Sequence, residues 1–549
     1  MEKPWTKLYP KGTPASLEYP KTSVFETLRN AAKKYPDKAA LVFQDNVITY
    51  KKLDVLTDTL ATFLHNLGVV KGDRVALFLP NIPQFIISFY GGLKAGAIIT
   101  ACSALYKERE LSYQLHDSGA ETIVTLDEFY PTVNNIKNKT RLKEVIVTTR
   151  KESNPSMLLD LKFKRAKQQP MTINFSDILN EYEAKPPKLT IDPKEDLAVL
   201  QYTGGTTAIP KGAMLTHYNL IVNQVRHTKW CEAREGRETS MIFLPMYHIY
   251  GLNECMASAI YMSAKIILIE RFKAGEVLKA ITKYRPTFLY CVPTIYIAFL
   301  AHQDIKDHDF SSIRVCLSAA APLPFEIRKK WKETTGLNII EGWGLTEASP
   351  NLTYTLPGMA EPKLIGVPAF NTDVKVVDAE TGTQTLPPRK LGELIARGPQ
   401  VMKGYWNKPE ETEQTLRDGW LYTGDIGYMD EDGCFYFVDR KEDMINAAGF
   451  KVWPFEVEEI LHEHPAVREA AVVGISDPYR GETVKAFVVP HDRYKGKIAE
   501  KDLIKFCKNR LAVYKAPTII EFRDTLPKTH VGKILRRVLK VDKREARCP

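Results

Sequence analysis

The chain has 549 residues, 44% of them apolar and 26% charged, which is enough for several structural units and excludes a single small binding module or a disordered, low-complexity protein. Its formal net charge of +10 comes from 76 Lys and Arg against 66 Asp and Glu spread along the chain, a balance that favours anionic small molecules over a nucleic-acid track. The eight cysteines and eleven histidines show no CxxC pair and no metal-ligand spacing, the pattern of reduced thiols in a cytoplasmic protein. The opening MEKPWTKLYPKGTP has no apolar run followed by a small-residue cleavage site, so no export signal is expected.

In chain order, the first long apolar stretch runs from Leu79 to Tyr106 with Lys94 as its only charge. Pro80, Asn81, Pro83, Gln84 and the pair Gly91 and Gly92 interrupt it, so it predicts a buried helix over 84–95 and a buried strand over 97–101, not a membrane span. Short β-rich runs at 74–79, 121–126, 197–202, 240–244 and 265–269 alternate with amphipathic stretches of helix length. That alternation predicts parallel sheets covered by helices on both faces.

From about Gly366 to Val438 the texture changes to short strands joined by Gly, Pro and Asp turns, which predicts an antiparallel sheet or small barrel. Past Asp439 strand and helix patterns recur on a smaller scale, with helices near 454–463 and 500–511. The expected fold class is therefore α/β: a large N-terminal domain (1–440) of doubly wound sheets with a β-barrel-like subdomain, then a small mobile α+β domain (441–549). The tail from Lys533 to Arg547 is basic and reads as a solvated helix face, with a phosphate or peripheral membrane contact as the other reading.

The stretch richest in chemistry is YTGGTTAIPKG, Tyr202 to Gly212, directly after the run at 197–201. Gly204 and Gly205 let backbone amides approach an anion, Thr203, Thr206 and Thr207 add hydroxyl donors, and Lys211 supplies a point charge. The loop is built for phosphates, yet it is not a Walker A loop, because Pro210 precedes the lysine and Gly212 follows it.

This loop resembles the phosphate loop of the acyl-adenylate-forming superfamily, which includes acyl-CoA synthetases, firefly luciferase and peptide-synthetase adenylation domains. Gly204 stands where Ser is usual and Ala208 where Gly is usual. The resemblance continues in order over nearly the whole chain. LPMYHIYG (244–251) contains His248, which resembles the residue beside the carboxylate pocket, with Ile249, Tyr250 and Gly251 on the acyl side. SAAAPL (318–323) supplies Ala319 toward the acyl group and Ala320, Ala321 and Pro322 toward adenine.

EGWGLTE (341–347) looks like the nucleotide signature. The resemblance implies ATP/AMP contacts from Glu341 and Gly342, a Trp343 stacked on adenine, Thr346 at the α-phosphate, and Glu347 as a ligand of Mg2+. YTGD places Asp425 at the ribose, joined by Arg440 of DRKEDMINAAG; in that segment Glu442 matches the hinge and Gly449 the glycine beside the CoA pantetheine. In PKTHVGK, Lys533 matches the catalytic lysine of adenylation. These residue types suit their tasks: an indole covers a purine, a hydroxyl donates to phosphate, and a carboxylate is the hard oxygen ligand that magnesium prefers.

The resemblance implies an ATP-dependent acid–CoA ligase: a carboxylic acid and ATP give acyl-AMP and pyrophosphate, and coenzyme A then takes the acyl group. Gly344 and the small Ala319 to Ala321 suggest a deep pocket, without a cation to pair a second carboxylate, so a medium- or long-chain fatty acid is expected. An aryl acid, or an acyl-AMP ligase loading a carrier-protein thiol, stays open, as does the different class of a non-catalytic fatty-acid-binding or uptake protein. No nucleic-acid partner and no transmembrane segment are expected, and the oligomeric state is open between monomer and homodimer.

Overall fold

The computed structural model of the chain describes residues 3–9, 13–150, 172–203, 210–447, 450–477, 481–529 and 534–540. Gly204, Gly205, Thr206, Thr207, Gly449 and Lys533 lie outside the described residues, as does the tail beyond Lys540.

The interrupted apolar stretch forms the helix Pro83–Lys94, buried at every position, and the strand Ile98–Ala101. Pro83 begins the helix where a missing N–H costs nothing. Lys94 does not reach solvent. Its side chain is 0% exposed, and its ammonium lies 2.5 Å from Asp54 and 2.6 Å from Asp58 and donates to the Thr57 hydroxyl at 2.8 Å. All three partners sit on the helix Tyr50–Asn66, so the one charge in the stretch fastens two helices together. No helix among the described residues is long and apolar enough to cross a membrane.

Two sheets carry the first three quarters of the chain. In the first, the strands Ile173–Asn174, Glu144–Thr148, Thr122–Leu126, Arg74–Phe78, Ile98–Ala101, Leu197–Thr203 and Lys211–Thr216 lie side by side in that order. The pairs along it are parallel up to Leu197–Thr203, and the closing pair is an antiparallel hairpin with Thr203 opposite Lys211.

The second sheet has a parallel part, ordered Ile339–Gly344, Val315–Ser318, Phe288–Cys291, Thr239–Ile242, Lys265–Leu268 and Ala39–Phe43. Past Ile339–Gly344 it continues as antiparallel strands, including Asn351–Tyr354, Leu364–Pro368, Phe435–Arg440, Trp420–Met429, Gly392–Arg397 and Asp373–Val377. This is the region whose turns predicted an antiparallel sheet. The run expected at 240–244 leaves its strand at Ile242, ahead of Pro245, which has no N–H for a ladder.

A third, five-stranded sheet gathers Phe450–Val452, Ile445–Ala447, Gly481–Pro490, Val467–Asp477 and Ile519–Phe522. With the helices Pro454–Glu463 and Glu500–Lys508 it encloses an apolar cluster of its own, containing Val452, Leu461, Val472, Ala486 and Leu503. The architecture is thus α/β with a large sheet-rich N-terminal part and a smaller α+β part.

Replacing Lys94 by Met keeps the volume but leaves Asp54 and Asp58, 23% and 19% exposed, facing an uncharged neighbour. The expected cost is about 3 kcal/mol, the usual result of removing one partner of a largely buried ion pair, read as a lower denaturation midpoint in urea.

Candidate active site

The strands Thr239–Ile242, Phe288–Cys291, Val315–Ser318 and Ile339–Gly344 are parallel neighbours, so their C-terminal ends share one edge, where open α/β sheets bind ligands. The 244–251 motif, the alanine turn 319–322 and the signature ending in Thr346 and Glu347 all leave from that edge. Ala320 takes a left-handed φ of 70°, an unusual conformation for a residue with a Cβ, and it turns the chain sharply as it leaves the strand.

A cleft of about 850 Å³ lies here, lined by Thr203, Lys211, His248, Ile249, Tyr250, Ala319, Gly344, Thr346, Glu347, Arg440 and Glu442. A smaller cavity of about 200 Å³ is lined by Ala320, Ala321, Pro322, Glu341, Gly342, Trp343, Asp425 and Arg440. Ala320, Gly342, Gly344 and Arg440 border both, so the two spaces adjoin. From the far end of the chain, Lys528, Thr529 and Leu535 line the cleft, while Ile534 and Arg536 line the smaller cavity.

Beside the smaller cavity, Asp425 stands opposite Arg440 on paired strands. Its carboxylate accepts from Arg440 Nη1 at 2.6 Å and from Trp343 Nε1 at 2.7 Å, which fixes the indole plane. The Asp425 carboxylate holds the Arg440 pKa above the ordinary guanidinium value.

The cations of the cleft are not equivalent. Lys441 pairs with Glu393 at 3.0 Å and Lys528 with Glu469 at 2.6 Å. Lys211 has no carboxylate partner among the described residues; its ammonium lies 4.3 Å from the ring centroid of Tyr405. The Tyr405 hydroxyl in turn donates to Glu347 Oε1 at 2.6 Å. Burial and the Glu347 carboxylate raise the Tyr405 pKa far above its ordinary value, so the hydroxyl stays a donor.

Tyr405 is held there by backbone. Met214 N–H donates to Gly404 O at 2.9 Å, Lys403 N–H to Met214 O at 3.0 Å and Trp406 N–H to Gly212 O at 2.8 Å, adding a short edge to the strand Lys211–Thr216. Sequence reasoning missed Tyr405. It stands 58 positions from Glu347, and its local signal is only an aromatic pair after Gly404.

With one oxygen held by Tyr405, Glu347 keeps a second without a hydrogen-bond partner among the described residues. No group of three or more His, Cys, Asp or Glu able to hold a metal ion occurs among those residues. The donor set therefore fits one carboxylate ligand of a magnesium ion that brings its own phosphate and water ligands, the usual habit of Mg2+.

His248 stands two residues before a π-helix, Tyr250–Ala257, a form that concentrates at functional sites. From it Asn253 donates to Ser349 O at 2.6 Å, tying this motif to the turn after Glu347. Glu254, fully buried, lies 2.7 Å from His227 and accepts from Tyr354 at 2.9 Å and Asn223 at 2.6 Å. Burial opposes charge on His227, yet Glu254 raises its pKa well above the imidazole norm.

Three of the expected site residues have structural duties of their own. A Cβ on Gly251 would lie 2.2 Å from Pro245 O, and Gly251 is not among the cleft-lining residues. A Cβ on Gly344 would lie 2.0 Å from Pro350 O. The bareness of Gly344 is therefore demanded by backbone packing and says nothing by itself about acyl length. Glu341 borders the smaller cavity, but its carboxylate accepts from Arg328 at 2.5 Å and from Leu323 N–H at 3.3 Å.

Residues 28–406 match the family described as AMP-binding enzyme, and residues 456–533 match the AMP-binding enzyme C-terminal domain. The chain is 44% identical over 553 residues to a long-chain-fatty-acid–CoA ligase of Bacillus subtilis (strain 168), covering 98% of each protein. It superposes on the anthranilate CoA ligase AuaEII in complex with anthranoyl-AMP with a TM-score of 0.84 at 28% identity, covering 96% of this chain and 97% of that one. For ATP-bound MatB from Rhodopseudomonas palustris the TM-score is 0.85 at 27% identity, covering 95% and 99%. For apo MatB, with the same identity and coverage, it is 0.75.

Tyr405→Phe deletes one hydrogen bond to a carboxylate and should weaken binding of Mg·ATP about tenfold without moving the melting temperature, as calorimetric titration and a thermal melt would register. Gly344→Ala should lower both stability and nucleotide binding, because the new Cβ displaces backbone rather than filling a pocket; the same two measurements detect it.

Proposed function

The chain belongs to the AMP-binding enzyme family, and on that premise we propose that it is an AMP-forming fatty acid–CoA ligase for medium- or long-chain acids. The observation that carries this reading is the meeting of two distant segments: Lys528, Thr529 and Leu535 line the same cleft as His248, Thr346 and Glu347. A binding or uptake protein has no need of C-terminal residues brought to a nucleotide signature. The closer likeness to the ATP-bound form of MatB than to its apo form supports an orientation suited to the first half-reaction.

In that half-reaction the fatty carboxylate lies beside His248 with its chain toward Ile249 and Tyr250, and attacks the α-phosphorus of ATP. Adenine lies against the indole of Trp343 between the Ala320 to Pro322 turn and Gly342, and the ribose hydroxyls meet Asp425 and Arg440. Thr346 donates to the α-phosphate, while Thr203, Lys211 and the amides and hydroxyls of Gly204, Gly205, Thr206 and Thr207 hold the departing phosphates. Glu347 would hold Mg2+, which supplies charge neutralisation as pyrophosphate leaves.

Lys533 bridges carboxylate and α-phosphate as charge moves onto those oxygens. The Tyr405 hydroxyl fixes one oxygen of Glu347 and leaves the other for Mg2+. Positioning and electrostatics supply most of the acceleration, as in other displacements at phosphorus.

In the second half-reaction the small part (441–549) turns about Glu442 relative to 1–440, Lys533 leaves, and Gly449 comes in to let the pantetheine of CoA reach the acyl-AMP carbonyl. The thiol sulfur bonds to that carbon and AMP departs. The buried, unpaired cysteines among the described residues support a cytoplasmic setting. An aryl acid is the second reading, favoured by the likeness to the anthranilate ligase.

Pyrophosphate release should depend on a carboxylic acid and rise from acetate to octanoate and longer acids, with thioester formed only when CoA is added; a preference for acetate or benzoate would displace the fatty-acid reading. Lys533→Ala should lower acyl-AMP formation by a hundredfold or more, roughly the effect of deleting one transition-state donor, while sparing thioester formation from supplied acyl-AMP. The two half-reactions assayed separately check this.

A further inference from the structure

A heavily charged, nearly buried cluster, two of whose members, Glu458 and Arg536, border the smaller cavity, lies where the two parts of the chain join. Arg536, 17% exposed, faces three carboxylates that are nearly buried, Asp439 at 1%, Asp443 at 12% and Glu458 at 9%. Its Nη1 lies 3.1 Å from Asp439 Oδ1 and 3.1 Å from Asp443 Oδ2, and its Nη2 lies 2.8 Å from Glu458 Oε2. Lys540 adds a looser contact to Asp443 at 3.7 Å.

These partners do not belong to one unit. Asp439 is on the strand Phe435–Arg440, paired within the large sheet, whereas Asp443, Glu458 and Arg536 all follow Glu442 in sequence. Asp439 makes a second contact in the same direction: its Oδ2 accepts the Phe455 N–H at 2.7 Å, at the start of the helix Pro454–Glu463. One side chain of the large part thus grips the small part at two points. Arg536 also stands three positions after Lys533, and the described residues on either side of that segment are joined by the Leu535 N–H to Pro527 O bond at 2.9 Å and the bridge between Lys528 and Ile534.

We infer that the Asp439–Arg536 pair is a clasp across the hinge, a positioning device that holds the small domain in the orientation that brings Lys528, Thr529 and Leu535, on either side of Lys533 in sequence, to the cleft. This rests on the proposed alternation of the two parts about Glu442.

The cluster is asymmetric in a way that suits release. If the small part turns, Arg536 travels with Asp443 and Glu458 and stays paired, so no cation is stranded. Asp439 loses both the guanidinium and the Phe455 amide and keeps only the Arg440 N–H, now 2.8 Å from Oδ1. The clasp therefore favours the first half-reaction without locking the domain there.

Asp439→Asn keeps the shape and an acceptor oxygen but removes the charge. It should slow acyl-AMP formation about tenfold, the weight of one charge-assisted hydrogen bond, while thioester formation from supplied acyl-AMP stays equal or quickens and trypsin cuts faster at Lys441 beside the hinge. Arg536→Lys, which cannot span Asp439 and Glu458 together, should shift the same three readouts the same way and serves if Asp439→Asn melts early. Equal loss in both half-reactions, or no change in either, overturns the clasp. Lys533→Ala run alongside separates the two ideas: if it divides the half-reactions and Asp439→Asn does not, the alternation stands and the clasp falls.

Discussion

Parallel strand pairing is the constraint on which the site depends. With Ser240 opposite Phe288, Leu289 opposite Cys316 and Leu317 opposite Ile340, the four strands end on the same edge, and every loop that leaves them must start within one or two strand spacings of the next. Strands lie about 4.8 Å apart, so loops far apart in sequence are brought within the span of a single nucleotide. No individual residue in the motifs has to achieve that convergence.

Much of this was legible in the residues. Interrupted hydrophobicity identified the helix Pro83–Lys94 and the strand beside it, because Pro and paired Gly act locally, through backbone geometry. The change of texture near Gly366 identified the antiparallel run for the same reason. The motif loops were legible as chemistry, and the two cavities bring together the described members of the expected adenine and ribose set.

What stayed hidden depended on partners distant in the chain. Tyr405 contacts Glu347 and Lys211, and nothing in its own neighbourhood encodes either contact. Gly344 invited a reading as an open pocket floor, since its sequence context does not show that Pro350 O passes where a Cβ would stand. Glu341 likewise shows its carboxylate only as a letter beside Gly342, and Arg328, on another element, takes it up. In each case the physical content is a three-dimensional near-contact, to which a one-dimensional pattern is blind.

The hairpin that flanks the loop expected to hold phosphates bears on how an anion there would be held. The described flanks of that loop are the strands Leu197–Thr203 and Lys211–Thr216, paired antiparallel with Thr203 opposite Lys211, so neither flank brings the positive end of a helix macrodipole to it. A sheet edge has little net dipole of its own. What the flanks offer an anion is the charge of Lys211 beside Tyr405, which ionic strength screens more readily than a fixed dipole set in the protein interior. In the proposed reaction a contact of this kind would loosen as salt rises, so the departure of pyrophosphate would quicken with ionic strength.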